Sequence, residues 1–272
     1  MVTTRKERVV FIGAGNLATH LATALHGAGY DIVQIFSRTA TSARQLAERT
    51  GCSLTITRIE EVCPDADIYI FSVSDAALGE LIARVPVRDE ALYLHTAGSI
   101  PLSVFSTVCR RYGVFYPLQT FSKNRAVTFA EIPLFIEGSS PEVTATLREM
   151  GERISRQIIE ATSEQRRLLH LAAVFVCNFT NHLYAIAADL LARQQLPFEA
   201  LRSLIRETAA KIETLSPAEA QTGPAVRYDK NVMQKHLDLL DDPDEKEIYR
   251  LLSRHIHQFA TSHTQSQSAQ HE

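Results

Sequence analysis

The stretch of the 272-residue chain with the clearest chemistry is Gly13-Ala-Gly-Asn-Leu-Ala18, which follows an apolar run. In this pattern Gly13 makes the tight turn out of a strand, Gly15 lets the backbone approach a pyrophosphate, and the small Ala18 lets the following helix pack closely on the sheet. The helix starts at Asn16 and Leu17, where free N–H groups and the positive end of the helix dipole attract phosphate. Strand, loop and helix occur in one unit of about 30 residues, which predicts dinucleotide binding. A glycine turn without a ligand is the alternative.

The residues after the second apolar run indicate which dinucleotide is bound. NAD-binding units of this type usually carry an acidic residue there, which binds the ribose 2′-hydroxyl. This chain has Ser37-Arg38-Thr39 instead. A carboxylate would repel the 2′-phosphate of NADP, whereas the Arg38 guanidinium can bind it with two hydrogen bonds, and the two hydroxyl groups can donate further ones. The sequence therefore predicts NADP(H). An ordinary surface arginine at the start of a helix is the alternative.

Two more groups of small and polar residues follow apolar runs. They are Val73, Ser74 and Asp75, and then Thr96, Ala97, Gly98 and Ser99. Ligands of parallel sheets bind at the carboxyl ends of the strands, so we expect both groups at the cofactor site, with room for a nicotinamide ring beside the second and with Ser99 toward the substrate. Asp75 is equally suited to cap the helix that follows it. Gln119, beyond a later run, either borders the substrate pocket or simply leads out of the sheet.

A long helix predicted over Glu164–Gln194 carries polar side chains among apolar ones. At about 100° per residue His170 and Asn181 lie on one stripe, with Asn178 to one side. Buried polar groups need partners, so this stripe either faces a ligand or is hydrogen-bonded within the protein. The two ends of the stripe are roughly 16 Å apart and cannot both touch one reacting carbon. We expect His170 or Asn178 to act at the site, with Asn181 next to Asn178.

A second polar segment lies further along the helical half of the chain. Thr222 begins a Thr-Gly-Pro turn, and Arg227 and Asp229 follow it before the next helix. Arg227 and Asp229 either form a structural ion pair or bind an anionic substrate. With Thr222 they are the candidate substrate-binding residues of this half.

The alternation of apolar runs and helical patterns predicts the scaffold. The predicted strands are Arg8–Ile12, Ile32–Phe36, Leu54–Ile56, Ile68–Val73, Leu92–His95, Val114–Tyr116 and Leu134–Ile136. Helical patterns lie between several of them, which predicts a Rossmann-like α/β domain with a doubly wound, mostly parallel sheet over residues 1–162. Strand-like runs then stop, and an all-α domain is predicted for residues 163–260. Residues 261–272 are polar, without a core-forming pattern, and are predicted to be a disordered tail.

Composition narrows the function classes. With 45% apolar and 22% charged residues and a net charge of −3, the chain is globular in composition and has no basic surplus for nucleic acid. The four cysteines form no C-x-x-C pair and the ten histidines form no metal-spaced cluster, so we expect no metal and free thiols in a reducing cytoplasm. No uninterrupted apolar stretch approaches the roughly 18 residues of a membrane span, and the richest, Leu168–Leu191, contains several polar residues. A cytoplasmic protein is therefore predicted.

Four stretches together resemble a known family. They are FIGAGNLATHL, HTAGS, HLAAVFVCNFTNHLY and TGPAVRYDKNV. The chain resembles, over about residues 7–260, the bacterial NADP oxidoreductases that join a Rossmann-like domain to a helical "domain of unknown function 2520". That family is similar to pyrroline-5-carboxylate reductases and 3-hydroxyacid dehydrogenases and has been likened to coenzyme F420-dependent NADP reductases. The resemblance implies a helical domain like the C-terminal one of 6-phosphogluconate dehydrogenase, and a homodimer built through it.

The resemblance does not supply a substrate. Hydroxyacid dehydrogenases use a lysine and, one turn later, an asparagine on the long helix, but Glu164–Gln194 contains no lysine. Either His170 or His182 would then take the role of the acid, and Asn178 that of the amide. The leading hypothesis is an NADP(H)-dependent oxidoreductase that acts on a small carbonyl or imine. A non-catalytic NADP-binding sensor or scaffold, and an F420-linked NADP reductase, are the alternatives.

Overall fold

A computed structural model describes residues 5–268, with the side chains of residues 5–262. The chain divides into two compact units, and the division falls between Asn178 and Phe179. This point lies inside the long helix, later than the boundary predicted between residues 162 and 163.

The first unit contains an eight-stranded sheet in the order β3-β2-β1-β4-β5-β6-β7-β8. Its strands are β1 (Arg8–Ile12), β2 (Asp31–Phe36), β3 (Thr55–Ile56), β4 (Ile68–Phe71), β5 (Leu92–His95), β6 (Tyr112–Pro117), β7 (Leu134–Gly138) and β8 (Ile158–Glu160). All neighbouring pairs are parallel except β6 and β7. The Rossmann-like fold class predicted from the sequence is confirmed.

Helices cover the sheet between its strands. Those of the first unit are α1 (Asn16–Gly27), α2 (Ala40–Thr50), α3 (Asp75–Ile82), α4 (Pro141–Glu152) and α5 (Ser163–Ala173). In α1 the buried residues Ala18, Leu21 and Leu25 recur every three or four positions, which is the spacing that presents one face of a helix to a core. Along β1, Val9 and Phe11 join one buried cluster and Val10 and Ile12 join the other, because alternate side chains of a strand point to opposite faces.

Seven of the eight strands coincide with the predicted apolar runs, and β8 is the one that the sequence does not reveal. It is only three residues long, Ile-Ile-Glu, and its last two residues are exposed. It pairs with β7 alone, at the edge of the sheet. An edge strand of this length has no continuous apolar run by which it could be recognised.

The second unit is helical. A π-helical turn (Val174–Phe179) links α5 to α6 (Thr180–Arg193), which is followed by α7 (Arg202–Lys211), α8 (Pro217–Ala220), α9 (Lys230–Leu239) and α10 (Pro243–Ser268). Among the described side chains after Asn178, the only buried apolar ones are Ala225 and Leu240. The unit therefore has little core of its own.

Two features of the helical region differ from the expectations. The helix over Ser163–Arg193 is long and apolar enough, by length and composition alone, to cross a membrane.

The last helix, α10, runs to Ser268 and so enters the segment predicted to be a disordered tail from residue 261. Its side chains continue the helical pattern, since Thr261 and Ser262 donate hydrogen bonds to carbonyl oxygens four residues earlier. Residues 269–272 of the predicted tail lie outside the described residues.

Candidate active site

A cavity of about 1060 Å³ lies in the first unit, at the carboxyl ends of the parallel strands. This is the edge at which open α/β sheets bind their ligands. Thirteen of the fourteen predicted cofactor-binding residues line it: Gly13, Gly15, Asn16, Leu17, Ser37, Arg38, Thr39, Val73, Ser74, Asp75, Thr96, Ala97 and Gly98. The fourteenth, Ala18, is fully buried in the core, which is the packing role given to it above. His170 and Gln119 also line the cavity.

Gly13 has a conformation and a place that only glycine tolerates. Its φ angle is +117°, and a Cβ atom there would lie 2.1 Å from the carbonyl oxygen of Ser72. Its N–H donates to the carbonyl of Phe36 at 2.9 Å, which ties the loop to the end of β2, and the N–H of Ser72, just after β4, donates to the carbonyl of Ile12 at 2.8 Å. A Cβ on Gly15 would meet nothing within 4 Å, which leaves open space over the start of α1. The loop can thus accept a phosphate group close to its backbone.

Arg38 is exposed at the rim of this cavity. In the described part of the chain no carboxylate forms an ion pair with it. Two acidic residues that share the cavity, Glu60 and Glu80, are both held by Arg84. The charge of Arg38 is therefore available to an anion. Three residues that no sequence motif marks also line the cavity: Ser42, Arg58 and Lys123.

His170 meets an unpredicted partner, Tyr116. The hydroxyl oxygen of Tyr116 lies 3.1 Å from Nδ1 of His170, and both residues line the cavity. Gly98 makes this meeting possible, because a Cβ on it would lie 2.8 Å from His170 Nδ1 and 2.9 Å from Tyr116 Cζ. Tyr116 belongs to β6 and His170 to α5, so the pair exists only once the sheet and the helix have packed.

Electrostatics fix the protonation of Tyr116. Burial raises the pKa of its phenol; the Arg166 guanidinium lowers it, and the Asp75 carboxylate raises it, with a net upward shift. The phenol therefore keeps its proton at neutral pH. Its hydroxyl can donate to His170 Nδ1, which leaves the ring proton of a neutral His170 on Nε2.

Arg166 ties the helix that carries His170 to the sheet. Its side chain is buried, and its guanidinium binds the Glu137 carboxylate at 2.5 Å. It also donates to the carbonyl oxygens of Ala97 at 3.3 Å and Ile100 at 2.5 Å, so it fixes the loop that contains Gly98. Glu137 in turn accepts hydrogen bonds from the backbone N–H and hydroxyl of Ser163, at 2.9 and 2.7 Å. A second anchor is the capping box of α5, formed by Thr162 and Gln165.

Asp75 is not the N-cap of α3. Ser74 occupies that position, and Asp75 is the first helical residue. Its carboxylate instead accepts a hydrogen bond from the hydroxyl of Ser99, which joins the loop after β4 to the loop after β5. Ser99 itself is absent from the cavity lining.

The other predicted site residues lie elsewhere. Asn178 and Asn181 are exposed and do not line the cavity. Thr222, Arg227 and Asp229 belong to the second unit. Asp229 caps α9 by accepting a hydrogen bond from the N–H of Val232 at 3.1 Å, and within the described side chains it forms no ion pair with Arg227. Across residues 5–262 no group of three potential metal-ligating side chains is found.

Comparison with family models gives two matches. Residues 8–94 match the model described as "NADP oxidoreductase coenzyme F420-dependent". Residues 132–256 match the model described as "Domain of unknown function (DUF2520)", which begins inside the sheet, just before β7. No curated protein matches the chain.

Solved structures give full-length matches. A Bacteroides fragilis protein named "putative NADP oxidoreductase" is 51% identical, with a TM-score of 0.87, over 93% of this chain and 98% of that one. A reductive aminase from Aspergillus terreus, solved with NADPH and ethyl-5-oxohexanoate, is 14% identical, with a TM-score of 0.70, over 96% and 95%. An imine reductase from Myxococcus stipitatus, solved with NADP⁺, is 16% identical, with a TM-score of 0.61, over 95% and 94%. At these identities the last two show a shared fold.

Proposed function

This chain belongs to the family of NADP oxidoreductases that includes the Bacteroides fragilis protein, and on that premise we propose that it transfers hydride between NADP(H) and a small carbonyl or imine bound in the cavity of its first unit. Family membership confirms the oxidoreductase class and the NADP(H) cofactor predicted from the sequence. The substrate and the residues in contact with it are our proposal.

The residues of the cavity fit this cofactor. The open space at Gly15 and the free N–H groups at the start of α1 suit a pyrophosphate, and the unpaired Arg38, with Ser37 and Thr39, suits a 2′-phosphate. The small residues Ala97 and Gly98 leave room for a nicotinamide ring, which supplies the hydride when the cofactor is bound. No acidic side chain pairs with Arg38 in the described part of the chain, so nothing there opposes the extra phosphate.

The observation that carries the proposed chemistry is the His170–Tyr116 pair in the same cavity. Reduction of a carbonyl or imine needs a proton for the oxygen or nitrogen, and a hydrogen-bonded imidazole and phenol can deliver it and be recharged. A sensor or scaffold that only binds NADP has no use for such a pair. The F420-dependent family model covers residues 8–94, the part with the phosphate loop, so it does not bear on the second substrate.

We expect His170→Gln and Tyr116→Phe to bind NADPH about as well as the wild type but to reduce turnover by about 10²–10⁴-fold, the usual contribution of a positioned acid or base. Purified variants are mixed with NADPH and a panel of small ketones and cyclic imines, and the loss of NADPH absorbance is followed. His182→Gln is a matched control: it changes a histidine of α6, which does not line the cavity. Wild-type turnover in both variants would remove the proton-transfer role of the pair.

We further infer that the protein is a homodimer through its helices. The helix that begins at Ser163 exposes apolar side chains every three to four residues, among them Leu168 (69% exposed), Leu171 (53%) and Leu183 (39%). The second unit has little core of its own. A second copy would cover this stripe symmetrically, since the same face serves both subunits.

A membrane is a poorer partner for the same helix. Its first two turns are fixed to the sheet by Arg166 and His170. The remainder contains Asn178, Asn181 and Asp189, which would be costly in hydrocarbon. A cytoplasmic location, which the unpaired state of all four cysteines fits, is part of this proposal.

Light scattering after size-exclusion chromatography, in buffer without detergent, tests the dimer. We expect twice the 30.3 kDa chain mass for the wild type, and the mass of a single chain for Leu171→Asp at the same concentration. Leu54→Asp, which alters an exposed leucine of the first unit, is the matched control and should stay dimeric. A measured mass of 30.3 kDa for the wild type would contradict the homodimer. If the wild type could be purified only in detergent, the exposed helix would more readily be explained by membrane binding.

A further inference from the structure

A second arginine, Arg58, lies beside Arg38 at the carboxyl edge of the sheet. Phe36 of β2 pairs with Ile56 of β3 in parallel, and the N–H of Ser37 donates to the carbonyl of Ile56 at 3.1 Å. Arg38 and Arg58 each stand two residues after this pair, on strands that lie about 4.8 Å apart. The chain register therefore brings the two arginines out of the sheet side by side, and both line the cavity.

The start of α2 adds free N–H groups to the same part of the cavity. The helix follows Arg38 directly; its N-cap, Thr39, makes no side-chain capping hydrogen bond, and its first turn contains no acidic residue. Unpaired N–H groups and the positive end of a helix dipole favour a phosphate at such a position. Thr39 and Ser42, from the first turn, both line the cavity. Two guanidinium groups thus meet a helix start that has no side-chain cap.

The acidic residues near Arg58 leave its charge available to a ligand. Among the described side chains, its one ion pair is with Glu61 at 3.8 Å, and both side chains are at least half exposed. Exposed pairs of this kind contribute little, so Arg58 can exchange Glu61 for another anion at small cost. Glu61 does not line the cavity. Glu60 does, but its carboxylate is bound by Arg84.

From this placement we infer that Arg58 is a second specificity-determining residue for the cofactor, which binds the 2′-phosphate together with Arg38 and so favours NADP(H) over NAD(H). The inference rests on the NADP(H) site of the proposed function and adds a residue that no motif in the sequence marks. A phosphate monoester carries a charge of about −1.5 to −2 at pH 7, so one guanidinium leaves part of that charge uncompensated. A second guanidinium compensates it, and each can donate two parallel hydrogen bonds to phosphate oxygens.

The test uses two adenosine nucleotides that differ only in the 2′-phosphate. Adenosine 2′,5′-bisphosphate and adenosine 5′-monophosphate are titrated by calorimetry into the wild type and into Arg58→Ala. We expect the wild type to bind the bisphosphate at least about tenfold more tightly than the monophosphate. Arg58→Ala should lose about tenfold in affinity for the bisphosphate, as the loss of one charge-assisted contact predicts, and bind the monophosphate like the wild type.

Two further variants separate a phosphate contact from other effects of the substitution. Arg58→Ala/Glu61→Gln should lose as much bisphosphate affinity as Arg58→Ala, because the loss comes from the missing guanidinium and not from the carboxylate that it releases. Arg202→Ala is the matched control. Arg202 is an exposed arginine of the second unit, outside the cavity lining, and it too pairs with a glutamate three residues away, Glu199. This variant should bind both nucleotides like the wild type.

Each contrary outcome has its own meaning. Unchanged bisphosphate affinity in Arg58→Ala would overturn the inference, and so would full recovery of that affinity in the double variant. An equal loss for both nucleotides would place Arg58 against the adenosine and not at the 2′-phosphate, which also overturns it. Failure of the wild type to bind NADPH would instead overturn the proposed function, and that binding is measured first.

Discussion

Arg166→Met should lose about 3–5 kcal/mol of folding stability, the usual cost of removing one partner from a buried ion pair. The variant leaves the Glu137 carboxylate without its cation and two loop carbonyls without a donor. Unfolding in guanidinium followed by circular dichroism measures the loss. Hydrogen exchange should also speed up at the amides of residues 97–100, because the loop loses its attachment to α5.

Two controls separate the buried pair from a general effect of removing an arginine. The double variant Arg166→Met/Glu137→Gln should recover part of the loss, since it no longer leaves a charge unpaired. Arg84→Met breaks two exposed ion pairs, and its free energy of unfolding should stay close to that of the wild type. If Arg166→Met unfolded at the same guanidinium concentration as the wild type, the buried arginine would not hold the loop and helix together.

Arg38→Ala should weaken NADPH binding by about 10–100-fold and leave NADH binding nearly unchanged. A charge-assisted pair of hydrogen bonds is worth about 1.5–3 kcal/mol, and each 1.4 kcal/mol is about tenfold in affinity. The enhancement of NADPH and NADH fluorescence on binding provides the readout. Arg44→Ala removes an exposed arginine of α2, the helix that follows Arg38, which does not line the cavity; this variant should bind both cofactors like the wild type. Equal losses for both cofactors would place Arg38 elsewhere than at the 2′-phosphate.

The cavity lining at the ends of β1 and β2 could be predicted from the sequence because its determinants are local. Gly13, Gly15 and Arg38 follow directly on strands, and a strand that ends at the carboxyl edge carries its next residues into the cavity. Several of the seven predicted strands were recognisable because they are continuous apolar runs, which is typical of strands buried in a mostly parallel sheet.

The rest of the site depends on pairs far apart in the chain. Tyr116 meets His170 across 54 positions and Arg166 meets Glu137 across 29, and no local pattern marks such partners. The sequence predicts that an arginine within a helical pattern is exposed to solvent, because buried arginines are rare unless they are paired. Asp229 is the opposite case. The sequence suggests that its carboxylate pairs with an arginine or helps to bind an anion, but in the structure it caps a helix.

The stripe on the long helix shows a third reason. Helical periodicity places His170 and Asn181 on one face, but the chain changes units between Asn178 and Phe179, within a π-helical turn that alters the angular spacing. His170 therefore reaches the cavity while Asn178 and Asn181 do not line it. An ideal repeat of 100° per residue could not foresee this.

The central claim, that the first unit is an NADP(H) site specified by its phosphate contacts, is tested most directly by calorimetric titration of the wild-type protein with NADPH and with NADH. We expect one NADPH to bind per chain, at least about tenfold more tightly than NADH, because about tenfold is the smallest preference that a phosphate held by a charge-assisted hydrogen bond should give. Equal affinity for the two cofactors, or binding of neither, would contradict it.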